Sequence, residues 1–143
     1  MNLSNGVKIT KVAAASSAGT SAVNGNTVDM TGFEGVLFFT TIGTANSGNI
    51  FKAQIGEDPT GSDAADLEGS AVVAEENGQV VWIDIYRPDP SQKYIRPAVV
   101  RGSSTTVGDI YALQYEARKE VIENNIEDVI IGKLLVNPYE GTA

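Results

Sequence analysis

Residues 79–119, QVVWIDIYRPDPSQKYIRPAVVRGSSTTVGDIYALQYEARK, limit what this chain can fold into more than any other stretch. Three apolar, aromatic-rich segments alternate with period two. Val81, Ile83 and Ile85 oppose Val80, Trp82, Asp84 and Tyr86. Ile95, Pro97 and Val99 oppose Tyr94, Arg96, Ala98 and Val100. Tyr111, Leu113, Tyr115 and Ala117 oppose Ile110, Ala112, Gln114 and Glu116. Successive side chains of a strand point to opposite faces, so such segments bury one face and wet the other. The breaks between them, Arg87-Pro88-Asp89-Pro90-Ser91 and Gly102-Ser103-Ser104, are rich in turn formers. The pattern predicts an antiparallel meander. Helix propensity competes over residues 112–122, but the Tyr111, Leu113, Tyr115 alternation favours strand there.

The remaining sequence has the same texture. Residues 5–15 read as a strand with Val7, Ile9 and Lys11 on one face, and residues 16–21 (SSAGTS) as either a mobile loop or a segment that orders on a partner. Asn24-Gly25-Asn26 signals a turn, and residues 27–30 a short strand. Residues 36–42 (VLFFTTI) are a strand bounded by Gly35 and Gly43, with Leu37 and Phe39 on one face, Val36 and Phe38 on the other, and both faces expected to be buried. Residues 46–49 read as a loop. In residues 50–55 (IFKAQI), Phe51, Ala53 and Ile55 point inward and Lys52 and Gln54 outward. Residues 57–69 are an acidic surface loop with one helical turn expected at 63–67. Residues 70–75 are a further strand, and Asn77-Gly78, the strongest hairpin signal in the chain, joins it to the meander. Residues 137–143 form a tail without periodicity. Short strands every ten to fifteen residues, parted by Gly, Asn and Pro, predict an all-β antiparallel sandwich, jelly-roll-like, in one domain over residues 1–143.

Composition narrows the chemistry. At 143 residues the chain suits one domain, and a domain of that size buries roughly 70% of its unfolded surface. Eighteen acidic against ten basic residues give a net charge of −8. Phosphate binding needs clustered Lys and Arg, which here are scattered, so no nucleic-acid or anionic-membrane partner is expected. No apolar run is long enough to span a bilayer, and the first residues lack the pattern of a secretory signal. There is no His and no Cys, which removes Ser-His-Asp and Cys-His nucleophilic sites, the usual zinc sites and disulfides. The expectation is a protein that is not an enzyme and carries no cofactor.

Three groups of residues remain as candidate sites. Asp58, Asp63 and Asp66 lie in the acidic loop, whose oxygens are of the type calcium takes, but their spacing does not match the regular calcium-loop pattern. Phe38, Phe39, Trp82, Tyr86, Tyr94, Tyr111 and Tyr115 suit either a core or a sugar-stacking platform, and strand spacing favours the core. Arg87, Arg96, Arg101 and Arg118 fall at or near strand ends, where they serve either a subunit interface or an ordinary solvated face. Any two of eighteen acids would make a glycosidase pair on paper, so that signal carries no specificity. Neither dinucleotide-binding nor P-loop glycine patterns occur.

Several stretches together resemble small virion proteins of tailed bacteriophages, the capsid decoration or cement proteins. These are residues 27–38 (TVDMTGFEGVLF), 66–72 (DLEGSAV), 82–88 (WIDIYRP), 94–102 (YIRPAVVRG) and 137–143 (NPYEGTA). The resemblance implies a non-enzymatic structural protein, made in the host cytoplasm and mounted on the capsid exterior. Its partners would be the major capsid protein and further copies of itself, commonly in a homotrimer. It also implies that an N-terminal arm, residues 1–11, touches the shell, with Val7, Lys8 and Lys11 as contact candidates. Alternatives are a head–tail connector or tail component and, from another class, a carbohydrate-binding module.

Overall fold

The computed structural model describes residues 2–119, 122–124 and 129–142. Met1 of the expected arm, Ala143 of the tail, residues 120 and 121 of the competing helix, and residues 125–128 lie outside the described residues. After a single helical turn, α1 (Leu3–Gly6), the chain is built from strands. These are β1 (Lys8–Ala13), β2 (Ser16–Gly19), β3 (Val23–Asn24), β4 (Val28–Asp29), β5 (Phe33–Thr44), β6 (Ile50–Gly56), β7 (Ala65–Asp66), β8 (Gln79–Tyr86), β9 (Tyr94–Val100), β10 (Thr105–Val107) and β11 (Ile110–Ala117). All pairings are antiparallel.

Several short strands are halves of longer ones. β1 and β2 run along β11 and β10, which in turn line one side of β5, while β8 lines the other. In the second sheet β3 and β4 share β9, followed by β6 and then β7, with a single bridge from Val72 to Phe51. Merging the halves leaves eight strand positions. Sheet 1 reads first, eighth, third, sixth; sheet 2 reads second, seventh, fourth, fifth. That order is the double Greek key of a jelly roll. The expected all-β antiparallel sandwich is therefore the fold.

Packing follows the alternation. Val36, Phe38, Thr40 and Ile42 of β5, Val81, Ile83 and Ile85 of β8, and Ile110, Ala112 and Gln114 of β11 point between the sheets. They meet Phe51, Ala53 and Ile55 of β6 and Ile95 and Val99 of β9. Each fully buried Phe or Ile contributes about 1.5–3 kcal/mol of hydrophobic stabilisation. Gln114 is the polar intruder, and its amide donates to the Asp29 carbonyl at 2.8 Å, tying the core of sheet 1 to β4 in sheet 2. The interruption between β10 and β11 is held at both sides. Thr40 Oγ1 donates to the Gly108 and Asp109 carbonyls, and Asp109 accepts the Ala15 amide at 2.7 Å.

Connectivity departs from expectation in several places. Residues 79–119 are not a meander: β8 and β11 lie in sheet 1, while β9 lies across the core in sheet 2. Residues 70–75 make only the single bridge at Val72 rather than a strand, and Asn77-Gly78 does not join them to β8. Asn77 Oδ1 instead accepts the Ala45 amide, Gly78 N donates to the Ile42 carbonyl, and β8 pairs with β5. Residues 16–19 are strand β2 rather than loop, and in place of the helical turn expected at 63–67 stands the two-residue strand β7. β5 runs through both glycines expected to bound it. From Lys8 onward the N-terminal stretch is strand β1 of sheet 1.

Candidate functional site

The two outer faces of the sandwich differ in chemistry. Sheet 2 is faced by polar side chains that satisfy one another: Lys52 pairs with Asp66 at 2.7 Å, Gln54 Nε2 donates to Asp66, and Arg96 Nε donates to Gln54 Oε1 at 2.9 Å. Sheet 1 is faced by aromatic and aliphatic groups. The strand registers set them in rows across β8, β5, β11 and β1. One row is Trp82, Phe39, Tyr111 and Lys11; the next is Asp84, Leu37, Leu113 and Ile9; a third is Tyr86, Gly35 and Tyr115. An antiparallel sheet with one wet face ordinarily turns polar residues to water. Here Trp82 is 60% exposed and Val80 62% exposed. The aromatic residues expected in the core therefore divide. Phe38 is inside, Tyr94 is on sheet 2, and the others form the outer wall of sheet 1.

The third row is built around a missing side chain. A Cβ on Gly35 would collide with the Tyr115 ring, so only glycine lets that ring lie across β5. Tyr115 stacks on Tyr86 at 6.3 Å between centroids, with planes 2° apart. Each hydroxyl donates to a carboxylate, Tyr115 to Asp84 at 2.5 Å and Tyr86 to Glu116 at 2.9 Å. Burial, with the bond to Asp84, holds the Tyr115 phenol well above its ordinary pKa; the bond to Glu116 raises that of Tyr86. Both phenols keep their protons at neutral pH and act as hydrogen-bond donors.

At one end of this wall, Arg87 and Arg118 converge on Glu34, at 3.3 and 3.1 Å, beside a cleft of about 440 Å³. Arg87 adopts a φ of 51° and lies over the Tyr86 ring. The other two expected arginines are elsewhere. Arg96 faces outward on sheet 2, and Arg101 donates to the Ser17 and Ser21 carbonyls, fastening β2. Beyond β1 a second cleft of about 500 Å³ separates residues 4–9 from residues 122–134. Ile122 N donates to the Asn5 carbonyl, and Asn124 Oδ1 accepts the Ile9 amide. Of the N-terminal candidates, Val7 is buried, Lys8 is exposed and Lys11 pairs with Asp109 at 3.4 Å.

The acidic loop folds on itself. Asp63 accepts the amides of Glu57 and Asp58, Asp58 accepts the Thr60 amide and hydroxyl, and Asp66 is held by Lys52 and Gln54. Among the described residues no three or more His, Cys, Asp or Glu side chains are grouped to hold a metal ion. Sequence reasoning missed Val80, Leu37 and Leu113 as parts of the exposed wall. The available signal was that both faces of β5 and β8 are apolar. No family model matches the chain, no curated protein matches its sequence, and no solved structure matches it.

Proposed function

We propose that this protein is a non-enzymatic structural component of a tailed-phage virion, a decoration protein that binds the outer capsid surface and braces it, working as a homotrimer. The observation that carries the reading is the outer wall of sheet 1, where Val80, Trp82 and Tyr86 stand in water beside Phe39 and Leu37. A contiguous exposed apolar patch of this kind marks an interaction surface. The carboxylates and phenols around it are occupied with one another. Bracing works by mass action: a protein that binds only the assembled shell stabilises that state in proportion to its occupancy. The chemistry required is buried area and paired charge, with no reaction. The test is to add pure protein to undecorated capsids and measure co-pelleting and heat resistance. Saturable binding with delayed capsid disruption supports the proposal; capsids that neither bind nor gain resistance refute it.

A carbohydrate-binding module is the second reading, favoured by one observation. Trp82 and the stacked Tyr86–Tyr115 pair share a face, as a sugar-stacking platform requires. Glycan-array hits abolished by Trp82→Ala would move the assignment there.

A further inference from the structure

The two edges of sheet 1 complement each other. At one edge, β8 pairs with β5 alone among the described strands, leaving an eight-residue strand with an open side. It carries no Lys, Pro or bulge, three of the devices by which natural proteins blunt such edges, and its one charge is Asp84. At the other edge, past β1, residues 122–124 bond to the flank of the sheet, and the chain continues into residues 129–136, VIIGKLLV. These eight residues are rich in β-branched and aliphatic side chains, yet form no strand. Ile130 is buried, but Ile131 is 88% exposed, and Leu135 and Val136 stand about as open as Trp82. Free water is a costly environment for such a segment.

The two features also match in charge. Among the outward side chains of β8, Val80, Trp82, Asp84 and Tyr86, only Asp84 is charged. Lys133 is the only charged residue in 129–136, is exposed, and makes no salt bridge among the described residues. With Lys133 set opposite Asp84, period two places Ile131 and Leu135 beside Trp82 and Tyr86, whichever way the strands run. Ile130 and Leu134 then fall on the side of Val81, Ile83 and Ile85.

We propose that residues 129–136 of one copy add as an extra strand to β8 of a second copy, with Lys133 paired to Asp84. Backbone bonds supply the ladder, and the alternating side chains set the register. Because donor and acceptor lie at opposite edges of the same sheet, the contact is heterologous and closes into a ring when the rotation permits. The inference rests on the self-association in the proposed function and names its contact, but it does not require a capsid.

The test uses the full chain in sedimentation and light scattering over a range of concentrations. Wild type should assemble. Asp84→Lys and Lys133→Asp should each weaken assembly at least about tenfold, and combining them should restore it. A second pair of variants fixes the geometry. Trp82→Asp spoils the edge and Leu135→Asp spoils the segment, so each alone should be monomeric, and mixed together they should pair in twos. All four side chains are exposed, and cooperative thermal melting confirms that each variant folds, Asp84→Lys melting somewhat lower because it loses the bond from Tyr115. A wild-type chain that stays monomeric at high concentration overturns the proposal. So does a Leu135→Asp variant that assembles as well as wild type, the result expected if β8 pairs with β8. Self-assembly without capsid binding would leave this contact standing and refute only the capsid reading. A monomer that saturates capsids would do the reverse.

Discussion

Replacing Gly35 with Ala isolates one structural device and allows its energy to be worked out in advance. Gly35 sits inside β5, and its φ lies outside the positive region, so the backbone accepts an L side chain. Removing a strand-interior glycine alone should stabilise the chain by about 0.5–1 kcal/mol. The added methyl, however, occupies the space of the Tyr115 ring. Displacing that ring breaks its stack on Tyr86, worth about 0.5–1.5 kcal/mol, and its hydrogen bond to Asp84, worth about 1 kcal/mol. Gly35→Ala should therefore destabilise by about 1 kcal/mol net, after the backbone gain from losing the glycine is deducted. In a Tyr115→Ala background the collision is gone, and the same substitution should stabilise. Urea denaturation of the four proteins of this double-mutant cycle measures the difference, with a coupling of about 2 kcal/mol expected. Equal effects of Gly35→Ala in both backgrounds would refute the packing described for this row.

Three further outcomes are expected. Ser70→Ala should lower stability by about 1–3 kcal/mol, because Ser70 Oγ accepts the buried Ala53 amide at 3.1 Å and that donor would be left unsatisfied; an unchanged urea midpoint would contradict this. Trp82→Ser should change stability by less than about 1 kcal/mol, since the side chain is mostly in water, while reducing saturable binding to capsids. Acid should destabilise the fold in a defined window. Asp58 is held below the ordinary 3.8 by Thr60, Asp66 by Lys52 and Gln54, Asp89 by Ser91 and Asp109 by the Ala15 amide. Because the unfolded chain takes up these protons first, their contribution is whole above 3.8 and lost as pH falls through the lower folded values. Thermal melting should record their loss only below that pH, and Asp66→Asn with Asp109→Asn should shrink it.

Strands were legible in the sequence where alternation was clean. The inward sets of β6 and β8 are those the period-two reading selects, because a sandwich rewards one apolar face per strand. The order of the strands was not legible. Pairing in sequence order would need a tight hairpin between β8 and β9. The chain instead has a longer connection carrying Pro88, Pro90 and a positive-φ Arg87, which crosses to the opposite sheet. β2 was hidden for another reason. Ser16, Ser17, Ala18 and Gly19 have little intrinsic strand preference, and the β10 ladder with the Arg101 guanidinium supplies the order. The exposed wall was obscured by a sound general rule: aromatic residues at strand spacing are ordinarily core, and Trp82, Tyr86 and Tyr115 depart from it. Of the four arginines, only Arg87 and Arg118 come together, through Glu34, a partner that spacing alone does not reveal.

The chain carries its own reporter for the claim that the outer wall of sheet 1 is covered in the working assembly. Trp82 is its only tryptophan and stands on β8, at the edge of that wall beside Phe39. Its emission and its accessibility to a soluble quencher can be compared between the dilute chain and the chain bound to capsids. The account predicts a water-exposed, readily quenched tryptophan when dilute, and a blue-shifted, protected one on the particle. Bound protein whose Trp82 remains as red and as easily quenched as in dilute solution would contradict it.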